Sequence, residues 1–239
     1  MGLALSVVVP CFNEEENLPL LVERLEATLS DNGIDGEIVL VDDASRDGTR
    51  EVIRREVARR PNVVGCYHDA NRGIVGGWRT GLSASRGDYV VAIDADLQYQ
   101  PEDVARLYAE ARASGADLVQ GWRRFSKENH VLRYALSVGL SGLLNVLFLM
   151  RLKDIKSGFI LYRRAAFADI LEYRGDYRMF QHFVTIAAHA KGYVIRQIPV
   201  TFERRHAGES FITQPARFAL CVLREIPIAF LEYRVRGGK

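Results

Sequence analysis

Four short apolar runs, rich in β-branched residues, restrict what this chain can fold into. They lie at residues 5–10, 37–41, 63–67 and 89–93, and segments with helical spacing fill the gaps at 13–30, 50–59 and 74–84. Strands separated by helices cannot close as hairpins, so each crosses over a helix into a parallel neighbour. Such a sheet is covered on both faces, which accounts for runs that are apolar throughout rather than alternating. The pattern predicts an α/β fold with a mostly parallel sheet flanked by helices. Open sheets of this kind bind ligands beyond the carboxyl ends of their strands.

The residues that follow each run therefore carry the chemistry. The fourth run ends in Asp94-Ala95-Asp96-Leu97-Gln98. Two carboxylates and an amide oxygen suit Mg²⁺ or Mn²⁺ held against a diphosphate. The same residues also read as a polar strand end before a helix that starts at Pro101-Glu102-Asp103. The first run ends in Pro10-Cys11-Phe12-Asn13-Glu14, where Asn13 is a nucleoside contact or a helix cap. The second ends in Asp42-Asp43, ribose acceptors or, with Ser45, an Asx turn. Asn71-Arg72-Gly73 follows the third. Together they outline a pocket for a nucleoside diphosphate. The chain contains no G-x-x-x-x-G-K-[ST] loop, and Gly73, Gly76, Gly77 and Gly81 do not form a dinucleotide fingerprint. An acidic pair would repel a pyrophosphate without a cation, so a metal–nucleotide complex is expected.

Composition bounds the partners. A net charge of +2 over 239 residues argues against a dedicated nucleic-acid binder. Cys11, Cys66 and Cys221 are scattered and lack C-x-x-C spacing, so neither a disulfide nor zinc is expected. The first ten residues read as a core strand without a basic flank, so no signal peptide is expected. After Gly121 the pattern changes. Residues 131–152 are apolar with Ser137, Ser141 and Asn145 embedded, and Arg123, Arg124, Lys127, Arg133, Arg151, Lys153 and Lys156 flank them. The stretch is slightly short and too polar for a comfortable span of roughly 20 residues. It fits an anionic membrane surface or a core helix pair. Residues 218–233 are a second such segment, in which Pro227 should kink or break the helix. Two segments of this kind favour peripheral membrane contact.

The motifs Val9-Pro10-Cys11-Phe12-Asn13-Glu14, Val41-Asp42-Asp43-Ala44-Ser45-Arg46-Asp47-Gly48-Thr49 and Asp94 to Gln98 resemble the signatures of family-2 inverting glycosyltransferases with the GT-A fold. Gly121-Trp122-Arg123, Asp154 to Phe159 with Leu161 to Arg164, Ile198-Pro199-Val200 and Arg205 to Ser210 resemble the dolichyl-phosphate mannose synthase and polyprenyl-phosphate glycosyltransferase branch. The resemblance runs from about residue 5 to 215. It implies a catalytic unit over 1–215, with a nucleotide half to about 120, an acceptor half beyond it, and an apolar or amphipathic helical tail at 216–239. It implies that Pro10, Asn13, Glu14, Asp42 and Asp94 hold the nucleotide of a GDP- or UDP-sugar donor. Asp94, Asp96 and Gln98 would hold Mg²⁺ or Mn²⁺, and Asp94, Asp96, Arg123, Arg133 and Arg205 would form the catalytic set. Arg123, Arg133, Ser137 and Ser210 would face a polyprenyl phosphate acceptor. Arg is independently the better residue for bidentate phosphate recognition. Three departures bear on the acceptor or sugar: Phe211 where the branch has Lys, Ser141 where it often has Asn, and a bulky Gly76-Gly77-Trp78.

A phosphate monoester acceptor is largely ionised at neutral pH, its second pKa being about 6, and needs no strong base. A hydroxyl acceptor does need one. The segment Met179-Phe180-Gln181-His182-Phe183 offers no carboxylate, and a lone His182 among apolar residues reads more readily as packed. The expected protein is a metal-dependent inverting glycosyltransferase, cytoplasmic and peripheral at the inner face of the membrane. A transferase for a soluble hydroxyl acceptor and a non-catalytic nucleotide-sugar-binding module at the membrane are the alternatives.

Overall fold

The computed structural model describes residues 3–124, 131–207 and 215–237, with the side chains of 124, 131–138 and 215–219 outside that description. Seven strands form one sheet in the order β3-β2-β1-β4-β6-β5-β7. The first four are β1 (Leu5–Cys11), β2 (Gly36–Asp42), β3 (Val63–Tyr67) and β4 (Tyr89–Ala92), all parallel. The helices α1 (Leu18–Asp31), α2 (Thr49–Arg59) and α3 (Gly73–Ala84) connect them. After α4 (Asp103–Ser114) come β5 (Leu118–Arg124), α5 (Val131–Phe148), β6 (Ile160–Arg163) and α6 (Arg164–Leu171). Then follow α7 (Val184–Ala190), β7 (Ile195–Thr201) and α8 (Pro215–Ala229), which passes into a π-helical turn at Phe230–Val235.

β6 runs against both β4 and β5, whereas β5 and β7 are parallel. The sheet is therefore mostly parallel with one reversed strand inserted beside β4. Period-two alternation along β1 sends Leu5, Val7 and Val9 into a layer with Leu18, Leu21 and Leu25 of α1. Val8 faces the other layer with Trp78 of α3, Phe167 and Phe180. Burying each such side chain stabilises the fold by about 1.5–3 kcal/mol, so both layers fix the register of β1. Trp78, unusual in sequence, is core: its ring meets Phe167 edge-on at 6.1 Å.

Two expected boundaries shift. Helix α1 starts at Leu18 rather than Asn13. Asn13 has φ 57°, a left-handed conformation that a short polar side chain tolerates. The N–H groups of Asn13, Glu14 and Glu15 donate to Ser45, Thr49 and Asp47 instead of opening a helix. Pro227 does not break α8, which runs on to Ala229 before widening into the π-turn. No described helix is long and apolar enough to cross a membrane. On α5, Leu144 and Phe148 are buried while Leu143 and Val146 are exposed. Phe148 packs on Phe230 of the π-turn at 6.2 Å.

Candidate functional site

The chain leaves β4 at Asp94 and turns through Leu97, whose φ is 60°. Gln98 N–H donates to Asp96 Oδ1 at 3.1 Å, which orients that carboxylate. The segment after β7 lies alongside this turn. Tyr99 bridges Phe202, Glu203 N–H donates to the Gln98 carbonyl at 2.9 Å, and His206 N–H donates to the Asp96 carbonyl at 3.3 Å. Gln98 Nε2 returns a bond to the Glu203 carbonyl at 3.1 Å, leaving its Oε1 as the acceptor on that side chain. This backbone pairing carries Arg205 across the sheet edge. Its guanidinium pairs with Glu14 and stands 3.9 Å from Asp96 Oδ2. Glu14 is fixed by its own N–H to Thr49 Oγ1 at 2.8 Å and by Asn17 Nδ2 at 2.6 Å. Three strand ends thus deliver Glu14, Asp94 with Asp96, and Arg205 to one place.

The electrostatics of this place favour positive charge. Burial, then the Asp96 and Glu14 charges, push Asp94 up to about 7, against the pull of Arg123 and Arg205. Burial also raises Asp96 and Glu14 from their ordinary values. Carboxylates that resist joint ionisation are relieved by a bound cation. A Cβ added to Gly158 would stand 4.0 Å from Asp94 Oδ2, so that side of the carboxylate is left open. Among the described residues no group of three or more His, Cys, Asp and Glu is arranged to hold an ion alone.

Arg123 approaches from β5. Its Nε and Nη2 donate to Asp154 at 2.7 and 3.1 Å, and its guanidinium lies over the Phe202 ring at 5.3 Å. Asp154 is held below its usual range: burial pushes it up, and the Arg123 charge and hydrogen bonds outweigh that. Beneath this pair Tyr99 and Ser157 share a hydrogen bond at 3.1 Å. His182 is pushed down to about 4 by burial and by the Lys156 and Arg123 charges, so its imidazole is neutral at pH 7.

The residues that the sequence suggests as nucleoside contacts are tied into loops. Asn13 Oδ1 accepts Arg46 N–H at 2.8 Å. Asp42 is fully buried and accepts Ser45 N–H at 3.0 Å and Arg50 Nε at 2.8 Å. In this geometry it shapes the loop as an Asx-type acceptor. Asp43 accepts Arg72 N–H at 2.7 Å and Gly73 N–H at 2.8 Å, and His68 Nδ1 lies 2.7 Å from it. The far nitrogen of His68 meets Thr80 Oγ1 at 2.8 Å. Pro10 lies under α3, where a Cβ on Gly77 would come within 2.9 Å of the Pro10 ring. A cleft of about 370 Å³ opens beside these loops between Ser45, Arg50, His68 and Asp69.

Arg133 and Ser137 lie on α5 with side chains outside the described residues, and Ser210 is outside them altogether. The sequence reading missed His68, which carries no motif, and the pairing of Arg123 with Asp154, which are 31 residues apart.

The chain is similar to several known proteins. The dodecaprenyl-phosphate galacturonate synthase of Rhizobium johnstonii is 29% identical over 242 residues, covering 99% of this chain and 70% of that protein. The undecaprenyl-phosphate 4-deoxy-4-formamido-L-arabinose transferase of Pseudomonas fluorescens is 32% identical over 207 residues, 86% of this chain and 59% of that protein. The Pseudomonas aeruginosa transferase of the same name is 38% identical over 57% of this chain and 43% of its own length, so the chain matches only part of such relatives. In structure, glucosyl-3-phosphoglycerate synthase from Mycobacterium tuberculosis, solved with Mn²⁺, UDP and phosphoglyceric acid, aligns with a TM-score of 0.73 at 19% identity, covering 97% of this chain and 78% of that one. A mannosyltransferase from Pyrobaculum calidifontis, solved with GDP-Man and Mn²⁺, aligns with a TM-score of 0.66 at 19% identity, covering 96% and 64%. These likenesses assign the sheet to the GT-A fold. Residues 6–171, well over half of the chain, match the model of glycosyl transferase family 2, and the chain belongs to that family.

Proposed function

We propose that the chain transfers a sugar, with inversion, from a GDP- or UDP-sugar donor to a polyprenyl phosphate at a membrane surface. The observation that carries this reading is the meeting of Glu14, Asp94, Asp96 and Arg205 from three strand ends. The chemistry of the donor set fits a divalent cation shared with the substrate. Mg²⁺ and Mn²⁺ take oxygen ligands, and Mg²⁺ commonly uses one or two carboxylates beside substrate phosphates. Asp94, Asp96 and the Gln98 amide oxygen would hold it, which agrees with a cluster too small to bind an ion alone. When bound, such a cation stabilises negative charge developing on the leaving diphosphate.

The chain's own groups do the rest. Arg205, held between Glu14 and Asp96, supplies a second positive charge at the diphosphate. Arg123, stiffened by the fork to Asp154, holds its positive charge on the acceptor side, where it would attract the acceptor phosphate. The loops built on Asn13, Asp42 and Pro10 shape the nucleoside side. His182 is too weak a base, at about 4, to deprotonate a sugar hydroxyl well. An ionised phosphate acceptor needs no such base, and this favours the lipid over a soluble hydroxyl acceptor.

Leu143, Val146 and Leu149 on and after α5, and Leu220, Leu223, Leu231 and Val235 on α8 and the π-turn, are exposed apolar side chains. Exposed Arg151, Arg224, Arg234 and Arg236 lie among them. Apolar side chains rimmed by Arg suit an anionic leaflet, and the cytoplasmic face is the anionic one. The test is a donor screen with purified protein, Mn²⁺ or Mg²⁺ and polyprenyl phosphate in vesicles, reading released nucleotide and lipid-linked sugar. With a soluble hydroxyl acceptor added beside the vesicles, glycosylation of that acceptor and not of the lipid would favour the soluble acceptor, and donor binding without turnover the non-catalytic module.

A further inference from the structure

The loop 172–183 joins α6 to α7, and Thr185 just beyond it donates to the Ile155 carbonyl at 3.2 Å, next to Asp154, the partner of Arg123, so the loop brings His182 to the Arg123–Asp154 pair. Its backbone is held by another element. Glu232, in the π-turn, accepts Arg174 N–H at 2.8 Å, Gly175 N–H at 2.9 Å and the Tyr177 hydroxyl at 2.9 Å. Glu225, on α8, is buried and accepts Arg178 N–H at 2.9 Å and Met179 N–H at 3.1 Å. Those two N–H groups lie just ahead of the short 3₁₀ turn Phe180–His182, so Glu225 fixes from a distant helix the backbone that leads into it. A ladder of rings follows the same route. Tyr233 stacks on Tyr177 at 6.4 Å, Tyr177 meets Phe180 and Phe183 at 5.4 Å each, and Phe180 stacks on Tyr173 at 3.7 Å. Gly175 permits the fit, since a Cβ there would come within 2.7 Å of Glu232 Oε2 and 2.8 Å of Ile228.

We propose that Glu225 and Glu232 are positioning residues of the transfer site, clasping loop 172–183 so that its 3₁₀ turn holds His182 beside Arg123 on the acceptor side. The inference rests on the reading of that side as the acceptor side. Leu223 and Leu231 point outward from the same helical segment whose inward carboxylates hold the loop. The membrane-facing surface and the acceptor side of the site are then two faces of one rigid unit.

The variants Glu225→Gln, Glu232→Gln and Gly175→Ala test this. A neutral amide keeps one acceptor oxygen and loses the charge-assisted pair of bonds. Hydrogen exchange should rise at 174, 175, 178 and 179 and stay unchanged in β1 to β4. Turnover at saturating acceptor should fall about tenfold, because displacements near 1 Å are felt at this scale, with donor affinity kept within about twofold. Glu225→Asp should restore more turnover than Glu225→Ala. Turnover unchanged despite faster exchange in the loop would overturn the proposal. So would a parallel loss of donor affinity, which marks a general packing defect. If the wild type glycosylates no polyprenyl phosphate, the acceptor reading fails separately. The clasp is then judged on donor hydrolysis, by the same ratio of variant to wild type.

Discussion

The two halves of the sheet hold their charged groups differently. On the β1–β3 side, Asn13, Asp42 and Asp43 are saturated by backbone N–H groups and neighbours close in space, so the loops are fixed before any ligand arrives. On the β5–β7 side, Arg123 and Arg205 are matched to Asp154 and Glu14, partners brought together only by the closed sheet. If the β1–β3 side takes the donor as proposed, its rigid loops suit a ligand common to many enzymes. The proposed acceptor side is built instead from ion pairs and a clasped loop.

The largest effect should separate the halves by stability. Arg123→Ala strands the buried Asp154 and is expected to cost about 3–5 kcal/mol in urea unfolding. Arg50→Ala, whose guanidinium is the more exposed partner of Asp42, should cost clearly less, because Ser45 N–H still serves that carboxylate. Equal costs would erase the contrast. Asp96→Ala should leave the unfolding midpoint close to wild type while lowering turnover about a hundredfold, roughly 3 kcal/mol of lost charge stabilisation. Near-normal turnover at saturating metal would remove the cation from the reaction.

A third effect is common to both halves. Asp42 and Asp154 each titrate below the ordinary 3.8 in the folded chain, burial being outweighed by Ser45 and Arg50 in one and by Arg123 in the other. The unfolded chain therefore binds protons more readily at these sites. Their contribution is complete above about pH 4 and is lost as pH falls through the lower folded values. Urea midpoints measured from pH 6 to 2 should fall below about pH 4. Asp154→Asn should fall less steeply there than wild type. The smallest stability effect belongs to the outer surface. Leu143, Val146 and Leu149 replaced by Ser should each change stability by no more than about 0.5 kcal/mol while weakening flotation with anionic vesicles. Phe148, which sequence groups with them, is core, and its replacement reports folding instead.

How much of this was legible follows from the range of each signal. Asp94 and Asp96 were found because a buried strand and its end are adjacent in the chain. The start of α1 was misplaced because Asn13 to Glu15 bond to residues more than 30 positions away, which no local pattern reports. The apolar segments 131–152 and 218–233 were visible, but not which side of each faces out. Both sides are apolar in composition, and neighbours choose between them.

By itself, the sequence determined the parallel βαβ half and the acidic pair at its edge, because hydrophobic period and strand-end chemistry are local properties. Tertiary structure alone decided the reversal of β6 beside β4, the pairing of Arg205 with Glu14 across 191 residues, and the hold of Glu225 on the loop before α7. Each of these depends on which surfaces exclude water together, and that is a property of the packed chain rather than of any segment.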